Sequence, residues 1–165
     1  MADSGNAPEP AVLKIYKDIN AVLNSIDRLE VRGRDSAGLS LMFILDASAY
    51  GKFMMAMEKA KLVNAFSERA GKKVLVNNAI TIHESRGGDN ERRFSIALIY
   101  KVAAEVGSLG DNMLFIRDQI RTDAVLQILV TLPHEYHTVS SHTRWASVGA
   151  ITEANCHPVD NHHAG

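Results

Sequence analysis

The chain has 165 residues, 46% of them hydrophobic, a formal net charge of -1 and a single cysteine. This length and composition are typical of one globular domain with a sizeable core. A near-neutral chain with mixed charges offers no electrostatic footprint for nucleic acid, and no apolar run reaches the roughly 18 residues of a membrane span. We therefore expect a cytoplasmic protein that binds neither nucleic acid nor a membrane and has no internal disulfide.

Hydrophobic periodicity predicts a flexible lead-in at 1–10, followed by one domain at 11–165 that contains both helices and strands. Apolar residues recur at helical spacing in Ala11–Leu29, Ala49–Ala70 and Asp111–Leu132. Runs rich in β-branched and large apolar residues predict strands at Leu39–Leu45, Lys73–Val76, Ala79–Ile82, Phe94–Val102 and Tyr136–Ser141. Strands flanked by long helices indicate a layered α+β domain.

The stretch 141–149 contains the clearest candidate binding site. Arg144 stands beside Trp145, the only tryptophan, where a strand-like run opens into a loop that ends at a glycine. A guanidinium binds a carboxylate bidentately and an indole can shield that pair from water, so the two could hold the α-carboxylate of an amino acid. From these residues alone, an internal Arg–Asp bridge beneath a core tryptophan is the commoner arrangement.

Two other stretches resemble fragments of metal or catalytic motifs. His134 and His137 are three residues apart, whereas the two histidines of a zinc-protease helix are four apart, so no metal site is predicted. Cys156 and His157 are neighbours, and adjacent residues of extended backbone point to opposite sides, which argues against a nucleophile and base pair. We expect a buried thiol at Cys156, a solvated tail from His157 onward, and no cofactor.

Three blocks of sequence together resemble a known enzyme family. They are Leu29–Leu39 (LEVRGRDSAGL), His142–Gly149 (HTRWASVG) and Asn155–Pro158 (NCHP). In this order they resemble the N-terminal glutaminase domain of glutamine:fructose-6-phosphate aminotransferase (isomerizing), the glucosamine-6-phosphate synthase family. That domain is a class II glutamine amidotransferase of the N-terminal-nucleophile hydrolase fold. The resemblance implies an incomplete αββα sandwich, in which residues from about 47 to 93 are an insertion.

The resemblance also implies roles for individual residues. Arg144 would hold the α-carboxylate of glutamine, and Trp145 and Ser147 would shape the pocket. A supporting turn beside the pocket would consist of Arg32, Gly33, Asp35 and Gly38. The family's nucleophilic cysteine and its oxyanion-stabilising Asn-Gly pair have no match in this chain, so no catalytic residue is assigned.

Two functions from different classes follow from the resemblance. The chain would be a glutaminase-domain fragment of an enzyme that converts glutamine and fructose 6-phosphate into glucosamine 6-phosphate and glutamate, with the sugar phosphate bound by modules absent here. Alternatively, it would be a non-catalytic amino-acid-binding or regulatory module of the same fold. In either case we expect weak or vestigial glutamine binding without turnover, and sheet edges left open would favour a homo-oligomer.

Overall fold

A computed structural model describes residues 9–29, 35–88, 90–103, 110–145 and 150–159. The helices within these ranges are α1 (Pro10–Leu29), α2 (Ala47–Lys59), α3 (Val63–Ala70), α4 (Asp111–Thr122) and α5 (Ala124–Leu129). The strands are β1 (Ser36–Asp46), β2 (Ile80–Arg86), β3 (Arg92–Ala103) and β4 (Tyr136–Arg144). A short 3-10 helix follows at Glu153–Asn155. No helix in these ranges combines the length and apolar character needed to cross a membrane.

The four strands form one antiparallel sheet in the order β2-β3-β1-β4. β1 is central, and its Leu41 lies opposite Leu98 of β3 and Val139 of β4. Successive side chains of a strand point to opposite faces of the sheet. In β1, Leu41 and every second residue from it face one side, and Met42 and every second residue from it face the other.

The helices cover one face of this sheet. That face carries large, fully buried side chains of β1 and β3, such as Phe43 and Tyr100. Each helix contributes to the same core through Ile15, Phe53, Phe66, Ile116 and Leu126 respectively. α1 does so because its apolar residues recur at helical spacing and form a single stripe. The opposite face of the sheet is left to other segments of the chain.

The connections define the fold. The chain passes from β1 to β2 through α2 and α3, and from β3 to β4 through α4 and α5. Each connection joins strands that are not neighbours, and the two interleave in the sheet. This is the split β-α-β arrangement of the ferredoxin-like α+β fold, preceded here by α1. An αββα sandwich needs two stacked sheets, and the described residues form a single sheet. The predicted N-terminal-nucleophile hydrolase fold is therefore wrong.

Most predicted elements are confirmed, but two predicted helices are each divided. The helix expected over Ala49–Ala70 is interrupted between α2 and α3, where Lys61 adopts a left-handed conformation with φ of 59°. The helix expected over Asp111–Leu132 is interrupted at Asp123. The Asp123 carboxylate accepts hydrogen bonds from the first free backbone amides of α5 and so starts a new helix.

The residues 47–93 are an integral part of the fold. They supply α2, α3 and β2, and their Phe53 and Phe66 pack edge to face in the core. The strand expected at Lys73–Val76 does not form, because this stretch instead turns over the second face of the sheet. There Leu75 and Ala79 pack against Ile99 of β3 in a small separate cluster.

Candidate binding site

The C-terminal end of β4 carries the predicted Arg144 site. β4 is antiparallel to β1, so Arg144 lies opposite Ser36 and His142 lies opposite Gly38. Because strand side chains alternate, Ser140, His142 and Arg144 share the sheet face that the helices leave open. Three polar side chains are thereby gathered at one end of the strand.

The segment 150–159 lies across this end of the sheet. Arg144 Nη1 donates a hydrogen bond to the backbone oxygen of Asn155 at 2.9 Å. Gly38 of β1 allows the close approach, because a Cβ at this position would overlap the carbonyl group of His157 and crowd Pro158. Glycine inside a strand often marks such a site of close backbone contact.

Lys101 of β3 anchors the same segment from the other side. Its side chain is fully buried, and Nζ donates hydrogen bonds to the backbone oxygens of Leu75 and, at 3.1 Å, of Glu153. The Glu153 carboxylate in turn accepts a hydrogen bond from the backbone amide of Asn77 at 3.0 Å. Buried polar groups need such partners, so Lys101 holds two loop segments against the sheet.

A cavity of about 190 Å³ opens between β1, β4 and the segment 150–159. Its described lining consists of Gly38, Ser40, Ser140, Ser141, His142, His157 and Pro158. The rings of His142 and His157 face each other there, with centroids 4.4 Å apart and planes inclined at 49°. We call this space the histidine cavity. Serine hydroxyl and imidazole N–H groups are its potential hydrogen-bond donors, and its described lining includes no carboxylate.

The electrostatics of the histidine cavity favour an anion. Burial lowers the pKa of His142, and the positive charges of His157 and Arg144 lower it further. Like charges disfavour the protonated imidazole, whereas a negative charge in the cavity would favour it. Burial is the largest cause of the depressed pKa of His142, and the smaller, electrostatic part reflects the positive charges of His157 and Arg144 nearby.

The structure brings some of the predicted site residues together. Asp35 reaches Arg144 through the backbone, since its amide donates to the Arg144 carbonyl oxygen at 3.2 Å. Gly38 lies inside β1, so its assignment to a supporting turn is wrong. Trp145 is 72% exposed, so the interpretation as a core tryptophan above a buried bridge is also wrong. Arg32, Gly33 and Ser147 lie outside the described residues.

Sequence reasoning missed the histidine cavity. His157 is exposed, as expected of a solvated segment, but its ring contacts His142, which the sequence did not predict. The alternation of Ser140, His142 and Arg144 along a strand was a usable signal for half of the cavity. The return of the segment 150–159 carried no such periodic signal. The buried thiol expected at Cys156 is confirmed, and no group of three potential metal ligands occurs among the residues described.

No protein-family model and no curated protein matches this sequence. The predicted membership of the glucosamine-6-phosphate synthase family is therefore wrong, and the comparisons give no support to the glutaminase and aminotransferase activities implied with it. Among solved structures, the chain is similar to a dimeric ferredoxin-like protein from an uncultured marine organism. That similarity has 15% identity and a TM-score of 0.31, and covers 68% of this chain and 97% of the other. The fold assignment rests on the order of the strands and not on this similarity.

Proposed function

We propose that the chain is a non-catalytic binding module that holds a small carboxylate ligand, such as a free amino acid, in the histidine cavity. The observation that carries this proposal is the convergence of His142, His157 and Arg144 at one end of β4, with a lowered pKa at His142. A carboxylate in the cavity would accept charge-assisted hydrogen bonds from His142 and His157, which line it, and its charge would offset that of the nearby Arg144.

The size of the cavity restricts the ligand. Pockets for drug-sized molecules span roughly 300 to 1,000 Å³, whereas this one is about 190 Å³. A short organic acid or an amino acid fits a cavity of this size, and Ser40 and Ser140 are part of the described lining. A single charge-assisted contact contributes about 1.5 to 3 kcal/mol. Little of this remains after the entropic cost of association, so we expect millimolar affinity.

The chemistry near the cavity supports binding rather than catalysis. The thiol of Cys156 is buried, and its Sγ lies 3.1 Å from the backbone oxygen of Thr152, which makes it a donor to a carbonyl group. Catalytic cysteines instead sit partly exposed beside a group that stabilises the thiolate. Cys156 therefore has the environment of a structural residue.

NMR titration of the histidine rings tests the proposal. Saturating L-glutamine should raise the pKa of His142, because its α-carboxylate, held beside the ring, favours the imidazolium. L-Glutaminamide, which has the same side chain without the carboxylate, should leave this pKa unchanged. Replacing Arg144 with Gln should weaken the glutamine effect, and replacing the exposed His83 on β2 with Gln should not. If neither glutamine nor acetate moves the His142 titration at tens of millimolar, the cavity is not a carboxylate site.

A second proposal, independent of the first, concerns self-association. The half of the open sheet face that the loop segments do not cover carries Met42 and Ile44 of β1 and Thr138 of β4, and Tyr136 beside them is 58% exposed. Met42 and Ile44 belong to neither buried cluster. We propose that two copies associate weakly through this face, because apolar side chains left outside the buried clusters and open edge strands favour pairing.

Concentration-dependent light scattering tests the self-association. The average mass should rise with concentration for the wild-type chain, and Met42→Lys should keep it monomeric because a charge would be buried between the copies. Met55→Lys is the matched control, since Met55 is exposed on α2 in the helical layer. A strictly monomeric wild-type chain at high concentration contradicts the proposal.

A further inference from the structure

Two histidines connect the start of β4 to α1, far along the strand from the histidine cavity. His134 Nε2 lies 3.1 Å from His137 Nδ1, and His137 Nε2 lies 3.0 Å from Asp18 Oδ2 on α1. At the other end, His134 Nδ1 lies 3.2 Å from the backbone oxygen of Leu132. Both rings pack against Phe43, with centroid distances of 5.5 and 6.0 Å. We call this arrangement the histidine relay.

The number of protons in the histidine relay follows from its acceptors. A carbonyl oxygen only accepts, so the contact with Leu132 requires a proton on His134 Nδ1. The carboxylate of Asp18 likewise requires a proton on His137 Nε2. The contact between the two rings requires one proton, on one of the two nitrogens. Three protons on two rings are one more than two neutral imidazoles carry, so all three hydrogen bonds form together only when the pair is cationic.

We propose that the histidine relay is a proton-binding site that couples pH to the attachment of the α5–β4 connection. With the extra proton bound, the connection is tied through both rings to α1. When the proton leaves, only two protons remain for the three contacts. In one of them a nitrogen lone pair then faces another lone pair, and that hydrogen bond is lost. The contact between His134 and Leu132 is the one that opens, because it is the longest and its acceptor is uncharged, whereas the Asp18 contact is charge-assisted.

The charges around the histidine relay are consistent with a bound proton. On α1, hydrogen bonds from Lys14 and His137 lower the pKa of Asp18, so Asp18 is present as a carboxylate. Lys14 Nζ lies 2.8 Å from the same Asp18 oxygen and opposes the proton. Beside His134, Glu135 pairs with Arg93 of β3 at 2.7 Å, and these two charges offset each other. β1 contributes the uncharged ring of Phe43.

The protons can be counted directly by ¹⁵N NMR of the histidine rings of the full chain between pH 5 and pH 9. We expect three protonated nitrogens among the four at the acid end and two at the alkaline end. Both rings should report one shared midpoint, and the amide signals of Leu132 and Glu135 should move with it. Two rings that titrate independently, or amide signals that do not follow the rings, would overturn the proposal.

Variants separate the histidine relay from general pH effects. In His134→Gln, the amide of Leu132 should no longer respond to the titration of His137, whereas the exposed control His83→Gln should keep the coupled response. Asp18→Asn provides a second test should His134→Gln fail to fold. Loss of the carboxylate should lower the shared midpoint, because the negative charge that faces the bound proton is removed. An unchanged midpoint in Asp18→Asn, or a coupled response that persists in His134→Gln, contradicts the proposal.

Discussion

Arg69 of α3 forms a bidentate ion pair with Asp123: Nη1 lies 2.8 Å from Oδ1 and Nη2 lies 2.7 Å from Oδ2. The same carboxylate accepts from the hydroxyl of the buried Tyr100 at 2.8 Å and caps α5. Arg69 Nε also donates to the backbone oxygen of Asn78 just before β2. One carboxylate therefore links α3, α5 and β3, and one guanidinium extends the link to β2.

Removing Arg69 should be severely destabilising. Arg69→Ala leaves Asp123 buried beside Tyr100 without its counter-charge, and breaking a buried pair from one side typically costs about 3 to 5 kcal/mol. Urea unfolding monitored by circular dichroism measures the loss. Arg121→Ala is the matched control, because its pair with Asp118 is exposed and such pairs contribute little. Equal effects of the two substitutions would show that the Arg69 pair is not a buried anchor.

Acid should destabilise the fold partly through Asp123. Burial tends to raise the pKa of Asp123, but the hydrogen bonds and charge of Arg69, helped by Tyr100, outweigh it and the net pKa is lowered. A depressed folded-state pKa stabilises the fold above the unfolded value of about 3.9, and that contribution is lost as pH falls through the folded value. The free energy of unfolding should therefore decrease as pH falls below about 4.

The contribution of Asp123 to this acid sensitivity can be isolated. Asp123→Asn should unfold more easily at neutral pH but lose less further stability in acid, because the group no longer titrates. Asp118→Asn, at an exposed position, should keep the wild-type slope. Denaturant unfolding at several values between pH 2 and pH 7 gives these slopes. An Asp123→Asn slope as steep as that of the wild type would exclude this carboxylate as a source of the sensitivity.

A side chain at Gly38 should displace the segment 150–159. In Gly38→Ala, the new Cβ would overlap the backbone at His157, so the segment must move away from β1. Cys156, the only cysteine, is 1% exposed and should then react faster with a thiol reagent. In Gly51→Ala, the Cβ meets nothing within 4 Å, and alanine should stabilise α2 by up to about 1 kcal/mol. Unchanged thiol reactivity in Gly38→Ala would contradict the close approach.

The two loop segments on the open face should depend on Lys101. Lys101→Met removes the donor to Leu75 and Glu153, and leaving buried acceptors unsatisfied costs about 1 to 3 kcal/mol. Hydrogen exchange should show faster exchange of backbone amides in both segments. Lys72→Met is the matched control, because Lys72 donates to the Asn77 backbone oxygen at an exposed position. Similar exchange rates in both variants would argue against an anchoring role.

The sequence by itself determined the local elements. The apolar stripe of α1 and the apolar runs of β1 and β3 predict their own secondary structure, because the hydrophobic period reports which side of an element is buried. The polar alternation at Ser140, His142 and Arg144 is equally local. These features are readable because each depends on residues a few positions apart.

Only the tertiary structure decided how these elements combine. The number of sheets and the strand order β2-β3-β1-β4 are set by pairing between strands that are distant in sequence. The hydrophobic period of each strand does not encode this pairing. The carboxylate of Asp123, which starts α5, is held by Arg69, which is 54 positions away. Short blocks such as Leu29–Leu39 describe local chain character and are compatible with several topologies, so they did not identify the fold. The histidine cavity exists because a non-periodic segment returns to β4, held by Arg144 and Lys101, and that return is a long-range event.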